Sequence, residues 1–329
     1  MTLRLALVPQ SAIRHFARRT KPENARVAKE NWRLVESGGY ADVGGHEHAL
    51  KLPRDAVNRT HFAPSTAGRS IALRHAHTAV CVARIDTATA LRTMHTLGAR
   101  KCAALNFANA HHAGGGYLNG ARAQEEDLCR LIPTLYTSLK RLKYPMKENS
   151  CGFTQGWLAR TAGSYALDGG PILVNILSAA MPNIAGGSAF SARLDPTDEP
   201  WRATVRVRIR AVLHAAREEG CDSIILGAFG CGAFGNPPDR VAPLFAEVLA
   251  SPEFRGAFSA VVFAILEFQG SDSGNVAAFA RACGDGPGGL CQPARSAAPP
   301  VQPAPATAAA AAVGETRVDS PTSMEIDIT

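Results

Sequence analysis

Hydrophobic positions along the chain follow two rhythms. In "ENARVAKENWRLVESGG", residues 23–39, Ala25, Ala28, Trp32 and Val35 recur every three or four positions until Gly38 and Gly39 intervene, which predicts an amphipathic helix packed on another surface. From Thr78 onward short continuous apolar runs alternate with helical periodicity. "TAVCVARI" is a β-branched run, "DTATALRTMHTLGA" a helix with an Asp cap and a closing Gly98, and "KCAALNFA" a second buried run. The same order returns downstream. "ARAQEEDLCRLIPTLYTSLKRL" reads as a helix with Pro133 positioned to kink it. "GPILVNILSA", "CDSIILGAF" and "FSAVVFAILEF" read as strands, and "PWRATVRVRIRAVLHAAREEG", "DRVAPLFAEVLAS" and "NVAAFARAC" as helices. Strands alternating with helices predict an α/β fold, with helices on both faces of a mostly parallel sheet.

Two regions break the rhythm. Between Asp42 and Ser70 the chain is polar and Gly-rich, with only short extended pieces expected. His46, His48, His61, His75 and His77 fall in or just after it; with no Cys or carboxylate at ligand spacing, they are expected to be surface histidines and not a metal site. Beyond Gly284, Pro, Ala and Gly dominate without any amphipathic period, and the last stretch is acidic, so residues 284–329 are expected to form a disordered tail. The resulting organisation is an extension over 1–70, a core over 71–283 and the tail.

The 329 residues carry a net charge of +7, spread along the chain and not concentrated in one block. A solvated basic surface accounts for this, as does a face serving a phosphate-rich ligand. Eight cysteines without a CxxC pair indicate neither a zinc site nor a disulfide framework and fit a reducing compartment, cytoplasmic or nuclear. No apolar run reaches the length of a membrane span. The leading "MTLRLALVPQSAIRHFARR" has Arg and no acids, as transit peptides and ordinary leading segments both do.

The chemistry concentrates in "NFANAHHAGGGYLNGARAQEEDLCR", residues 106–130. Gly114, Gly115 and Gly116 follow a buried run, at the end of a strand where open α/β sheets bind ligands. Three glycines permit positive φ and close approach of backbone N–H groups to an anion, although a flexible loop reads the same way. Glu125 and Glu126 lie in the first turns of the next helix, where the macrodipole alone explains carboxylates. Successive helical side chains diverge by about 100°, so the two are expected to act on different atoms. A second Gly-rich element, "LGAFGCGAFGNPP" over 226–238, follows another buried strand, so two glycine loops could grip one diphosphate with an aromatic between them. Neither loop has the P-loop spacing, and the dinucleotide fingerprint lacks its acidic partner.

"GGGYLNGARAQEE" resembles the GGG-x(6–8)-QEE signature of the poly(ADP-ribose) glycohydrolases, and "DTATALRTM", "LNFANA", "LIPTLYTSL", "LGAFGCGAFGNPP" and "FAIL" resemble its microbial-type branch, over about residues 13–283. The resemblance implies a macrodomain, a three-layer α/β/α sandwich on a mixed, mostly parallel sheet, preceded by an N-terminal helical extension. It implies exo-acting hydrolysis of ribose–ribose O-glycosidic bonds, with poly(ADP-ribose) and ADP-ribosylated proteins as substrate, ADP-ribose as product, and neither metal nor other cofactor. Glu126 matches the catalytic acid, whose pKa must be raised, and Glu125 the residue holding ribose hydroxyls. Gln124 matches their support, and Asn106 and Asn109 the ribose pocket. Gly114, Gly115 and Gly116 match a loop along the diphosphate; Gly230, Cys231, Gly232 and Ala233 match the second phosphate loop, and Phe234 the aromatic that orients the terminal unit. The chain departs from the pattern at Ala113, where Pro is usual, and in "RLIPTLY". A non-catalytic ADP-ribose reader and a mono(ADP-ribosyl) hydrolase are the alternatives on the same fold. Without coiled-coil heptads or repeats, a monomer is expected.

Overall fold

The computed structural model describes residues 2–6, 19–64, 74–186, 191–267, 273–284 and 323–327. In chain order these form β1 (Thr2–Ala6), α1 (Lys21–Ser37), β2 (Gly39–Ala41), β3 (Glu47–Ala49), β4 (Asn58–Phe62), β5 (Ala79–Ala83), α2 (Thr87–Thr96), β6 (Cys102–Phe107), α3 (Gln124–Leu131) and α4 (Leu135–Leu139). There follow β7 (Ser150–Arg160), β8 (Leu167–Ala179), α5 (Glu199–Glu218), β9 (Ser223–Leu226), α6 (Pro238–Ala250), β10 (Ala260–Ala264), α7 (Asn275–Cys283) and β11 (Ser323–Asp327).

A seven-stranded sheet in the order β4-β7-β8-β6-β9-β10-β5 organises the molecule. The strands from β8 to β5 are parallel, and β7 runs antiparallel to both of its neighbours. Alternating residues of the buried strands feed two cores. Ala103, Leu105, Ile224, Val261 and Phe263 pack with α5, α6 and α7 on one face, whereas Ala104, Ile225 and Val262 pack with α1, α2, α3 and α4 on the other. This is the three-layer α/β/α macrodomain architecture.

Caps fix where the helices begin and end. Asp86 accepts the Thr89 amide at the start of α2, and Asp198 does the same for Trp201 at the start of α5. The helix read through Pro133 is two: α3 ends at Leu131, and α4 starts after Ile132-Pro133-Thr134. α1 has a capping box, with the Glu23 amide donating to Thr20 Oγ1 and the Thr20 amide donating to the Glu23 carboxylate, and Gly38 ends it at φ +84°.

Four features depart from the sequence reading. The inward face of α1 is Asn24, Val27, Ala28 and Asn31, and Trp32 is 50% exposed; the two asparagines are buried because each finds a hydrogen-bond partner, described below. β7 has no apolar pattern, because Gly152 and Gly156 sit where Leu142 and Ile132 fill the space of a side chain. β4 belongs to the stretch read as an extension, yet it forms the edge of the main sheet. Within the expected tail, Ser323–Asp327 pairs antiparallel with β1, Leu3 opposite Ile326 and Leu5 opposite Met324 in the register. Both segments alternate apolar and polar residues, the period of a strand. Residues 285–322 of that tail, and 7–18 of the leading segment, lie outside the described residues.

Candidate active site

β6 and β9 are adjacent, so the two glycine loops that follow them rise side by side at the carboxyl edge of the sheet. In the first loop Gly114 and Gly115 adopt φ of +69° and +51°. The triplet's amides are all directed at protein acceptors. Gly114 donates to Glu125 Oε1 at 3.2 Å, Gly115 to the His112 carbonyl at 3.1 Å and Gly116 to Glu126 Oε1 at 2.8 Å. Two of the three amides of this glycine nest are thus taken by the Glu125 and Glu126 carboxyl groups and the third by a loop carbonyl.

Side chains are excluded there by those same groups. A Cβ on Gly115 would stand 2.5 Å from Glu126 Oε1 and 3.0 Å from Glu125 Oε2, and one on Gly114 would stand 2.8 Å from the Tyr136 ring. Glu125 and Glu126, expected to diverge around the helix, therefore converge on one glycine. Their side chains are long enough to bend back over a loop that wraps the start of α3.

The two glutamates are held differently. Glu125, 2% exposed, accepts from the Asn106 amide group at 3.3 Å, the Gly114 amide and the Asn109 amide at 2.8 Å. Burial pushes its pKa up to about 8, with Glu126 adding in the same direction, against those three donors. Glu126, 7% exposed, has one oxygen on Gly116, while its buried Oε2 accepts no hydrogen bond from the described residues. Two further buried polar atoms here, Asn106 Oδ1 and Tyr144 Oη, find no hydrogen-bond partner among the described residues; burial raises the Tyr144 pKa, and the Glu125 carboxylate adds to the rise.

The supporting residues bind the motif to the sheet. Gln124 accepts from the Phe107 amide at 2.8 Å and donates to the Leu105 carbonyl at 2.8 Å and Thr87 Oγ1 at 3.2 Å. Asn106 also donates to Ser178 Oγ at 3.1 Å, its neighbour in the β6–β8 register. Asn109 turns its side chain to the amides of His111 and His112, at 2.8 and 3.0 Å, and so shapes the loop.

Beside them lies a cleft of about 730 Å³. Gly230, Gly232, Ala233 and Phe234 of the second loop line it, together with Phe107, Phe229, Gln124 and, at the other end, Asp127, Arg130 and Tyr165. Glu125, Glu126, Gly114, Gly115, Gly116, Asn106, Asn109 and Cys231 are outside this lining. The Cys231 thiol is pushed up to about 12 by burial and donates weakly to the Phe229 carbonyl. Gly230, at φ +77°, leaves no room for a Cβ, which would lie 2.6 Å from Met181 Cβ.

Several contributors carry no sequence signal. Asn31 of α1 donates to the Cys129 and Arg130 carbonyls at 3.1 and 2.9 Å and to Tyr117 Oη at 3.2 Å, and it accepts from Arg160 Nε at 2.7 Å. It thereby satisfies the last carbonyls of the helix that carries both glutamates. Asn24 donates to the Gly120 carbonyl at 3.3 Å. Asn236 fixes the second loop by donating to the Pro182 and Gly230 carbonyls at 2.8 and 3.0 Å and accepting from Trp201 Nε1 at 2.9 Å. Asp127 accepts from Tyr165 Oη, and burial raises its pKa to about 7. The histidine region also differs from expectation. Asp42 sits between His46 and His48, at 3.3 and 3.0 Å, because the turn between β2 and β3 folds it back on both rings.

The family model described as the catalytic domain of microbial-type poly(ADP-ribose) glycohydrolase matches residues 28–153. The structure is similar to that of poly(ADP-ribose) glycohydrolase from Thermomonospora curvata, with a TM-score of 0.64 and 29% identity over 79% of this chain and 98% of that one. It is also similar to the Deinococcus radiodurans poly(ADP-ribose) glycohydrolase solved in complex with ADP-ribose, with a TM-score of 0.53 and 32% identity over 63% of this chain and 85% of that one. This chain is a microbial-type poly(ADP-ribose) glycohydrolase family member. No curated protein matches it. The family match begins inside α1 and ends inside β7, so it takes in the Asn31 anchor as well as the glycohydrolase motif itself.

Proposed function

We propose that the chain hydrolyses ribose–ribose O-glycosidic bonds of poly(ADP-ribose) from a chain end, releasing ADP-ribose, with Glu126 as the general acid. The observation that carries this is the state of Glu126: a buried carboxyl with one oxygen fixed by the Gly116 amide and the other taking no hydrogen bond from the described residues.

In this reading the terminal ADP-ribose lies in the cleft, with its pyrophosphate between the two glycine loops, Phe234 against it and its distal ribose reaching the carboxylates. The triplet amides are already engaged, so Gly114, Gly115 and Gly116 serve the ligand by letting the backbone approach it closely. Glu125, held from three sides, accepts hydrogen bonds from ribose hydroxyls. Glu126 in its acid form gives its proton to the 2′-oxygen as that oxygen leaves the anomeric carbon. The resulting carboxylate faces the oxocarbenium ion, and it then takes a proton from the water that adds to the anomeric carbon. Bonds and protons balance without a metal or other cofactor. The Deinococcus relative's complex with ADP-ribose supports the choice of ligand.

The pure protein incubated with poly(ADP-ribose) is expected to release ADP-ribose, read by chromatography. Binding without release points to a reader, and release from a singly modified protein but not from polymer points to a mono(ADP-ribosyl) hydrolase; either result sinks the assignment. We further infer a monomer, acting on polymer and on ADP-ribosylated proteins, in a reducing compartment such as the cytoplasm or nucleus. The seven described cysteines are all free, and no helix among the described residues is long and apolar enough to cross a membrane.

A further inference from the structure

The carboxylates have a second flank. The segment from Lys140 to Lys147 leaves α4 and folds back on the motif loop, and it exposes Lys140, Arg141, Lys143 and Lys147. None of the four forms an ion pair among the described residues, whereas the acid that follows them, Glu148, is paired with Arg208 at 3.4 Å. Cations so near one another in sequence, with no carboxylate paired to them among the described residues, repel one another, a cost that an anionic ligand would relieve.

Both ends of the segment touch the loop that holds the glutamates. Lys140 Nζ lies 5.8 Å from the centre of the Tyr136 ring, and that ring packs against Gly114. The Met146 amide donates to the Ala110 carbonyl at 2.8 Å, next to Asn109, whose own amide holds Glu125. Between these anchors Tyr144 carries a buried hydroxyl with no hydrogen-bond partner among the described residues. None of residues 140–147 lines the cleft of the Gly-Phe loop. The segment is thus tied to the loop that holds Glu125 without being part of the cleft, so the molecule has two surfaces near the motif, a cleft sized for one nucleotide-like unit and a basic loop.

We propose that residues 140–147 form the subsite for the unit beyond the bond that breaks, with its pyrophosphate against Lys140, Arg141, Lys143 and Lys147. This rests on the function proposed above. The leaving part of the polymer ends in the 2′-oxygen that meets Glu126, and every further unit brings two phosphate charges. A cationic segment anchored to the motif loop and outside the cleft matches that charge and keeps the shortened polymer at hand for the next cleavage.

The test uses the full chain carrying Glu126→Gln, so that ligand is not consumed, with and without Lys140→Gln, Arg141→Gln, Lys143→Gln and Lys147→Gln together. Fluorescence anisotropy measures binding of poly(ADP-ribose) of defined length and of ADP-ribose between 50 and 200 mM salt. The four substitutions are expected to weaken polymer binding by about 10- to 100-fold and to make its log–log salt slope shallower by about 2–3. ADP-ribose, which has no further unit, should bind both proteins alike. Unchanged polymer affinity and slope overturn the subsite, as does equal weakening of both ligands. Loss of single-stranded RNA binding with polymer binding intact makes the loop a polynucleotide surface and also overturns it. ADP-ribose release by the unsubstituted protein is scored separately: failure there with loop-dependent polymer binding intact removes the hydrolase reading and leaves the subsite standing.

Discussion

Gly116 and Glu126 are joined by a 2.8 Å hydrogen bond from the backbone amide to Oε1, so the first and last elements of the motif form one structural unit. The bond fixes one oxygen of the carboxyl and leaves Oε2 for chemistry. Glu126→Gln keeps the size of the side chain and an acceptor for Gly116, but it has no proton to give. Its kcat on poly(ADP-ribose) is expected to fall by about 10²–10⁴-fold, with the Kd for ADP-ribose, measured by calorimetry, changed little. A variant that keeps its turnover would remove Glu126 from the role of acid.

Gly115 is the point on which both carboxylates converge. Gly115→Ala places a Cβ where Glu126 Oε1 now approaches and must hold a φ of +51°. The expected cost is about 1–3 kcal/mol of stability. Turnover should fall further than that alone implies, by about 10²-fold, because the acid is displaced. Chemical denaturation and steady-state kinetics on one preparation separate the two effects.

Asn31 holds the end of the helix that carries both glutamates. Asn31→Ala orphans the Cys129 and Arg130 carbonyls and takes an acceptor from the buried Arg160. We expect a loss of about 2–4 kcal/mol in urea unfolding, with kcat reduced more than ADP-ribose affinity. An unchanged midpoint would show that α1 merely rests on the core.

Glu125 links stability to pH. Its folded pKa is raised, to about 8, so the folded state keeps a proton that the unfolded chain sheds at ordinary carboxylate pH. The stability this gives is fully present below the unfolded pKa and is lost as pH rises through about 8, with a slope of at most about 1.4 kcal/mol per unit. Thermal unfolding midpoints should therefore decline across the neutral range and level off above pH 8. Glu125→Gln, which cannot ionise, should flatten that decline; an identical profile would place the proton elsewhere, Asp127 being the other candidate because burial raises it to about 7.

Phe234 lines the cleft on the second loop. Phe234→Ala should weaken ADP-ribose binding by about 5- to 10-fold, the usual worth of an aromatic contact. Unfolding should barely change, since the backbone contact from the Ile184 amide to the Phe234 carbonyl at 2.9 Å remains.

The parallel strands β5, β6, β9 and β10 and the helices between them were legible from the chain, because a strand buried on both faces must be apolar almost throughout and a helix packed on it must repeat every three to four residues. β7 escaped that reading: its Gly152, Gln155 and Gly156 are matched to particular neighbours, with Gln155 donating to Asn175 Oδ1 at 3.0 Å. The inward face of α1 was hidden for the same reason, since Asn24 and Asn31 look like solvent residues until their partners are seen.

By itself the sequence determined the layer order, the two glycine loops at one edge of the sheet and the pair of acids beside them, because burial period, caps and glycine permissiveness are local properties. Only the tertiary structure decided that amides of the triplet hold Glu125 and Glu126, that both carboxylates meet at Gly115, that Asn31 secures their helix and that the Lys140–Lys147 segment is tied to the motif loop at Ala110. Hydrogen-bond partners distant along the chain are chosen by packing, and no local pattern records which buried group will satisfy which.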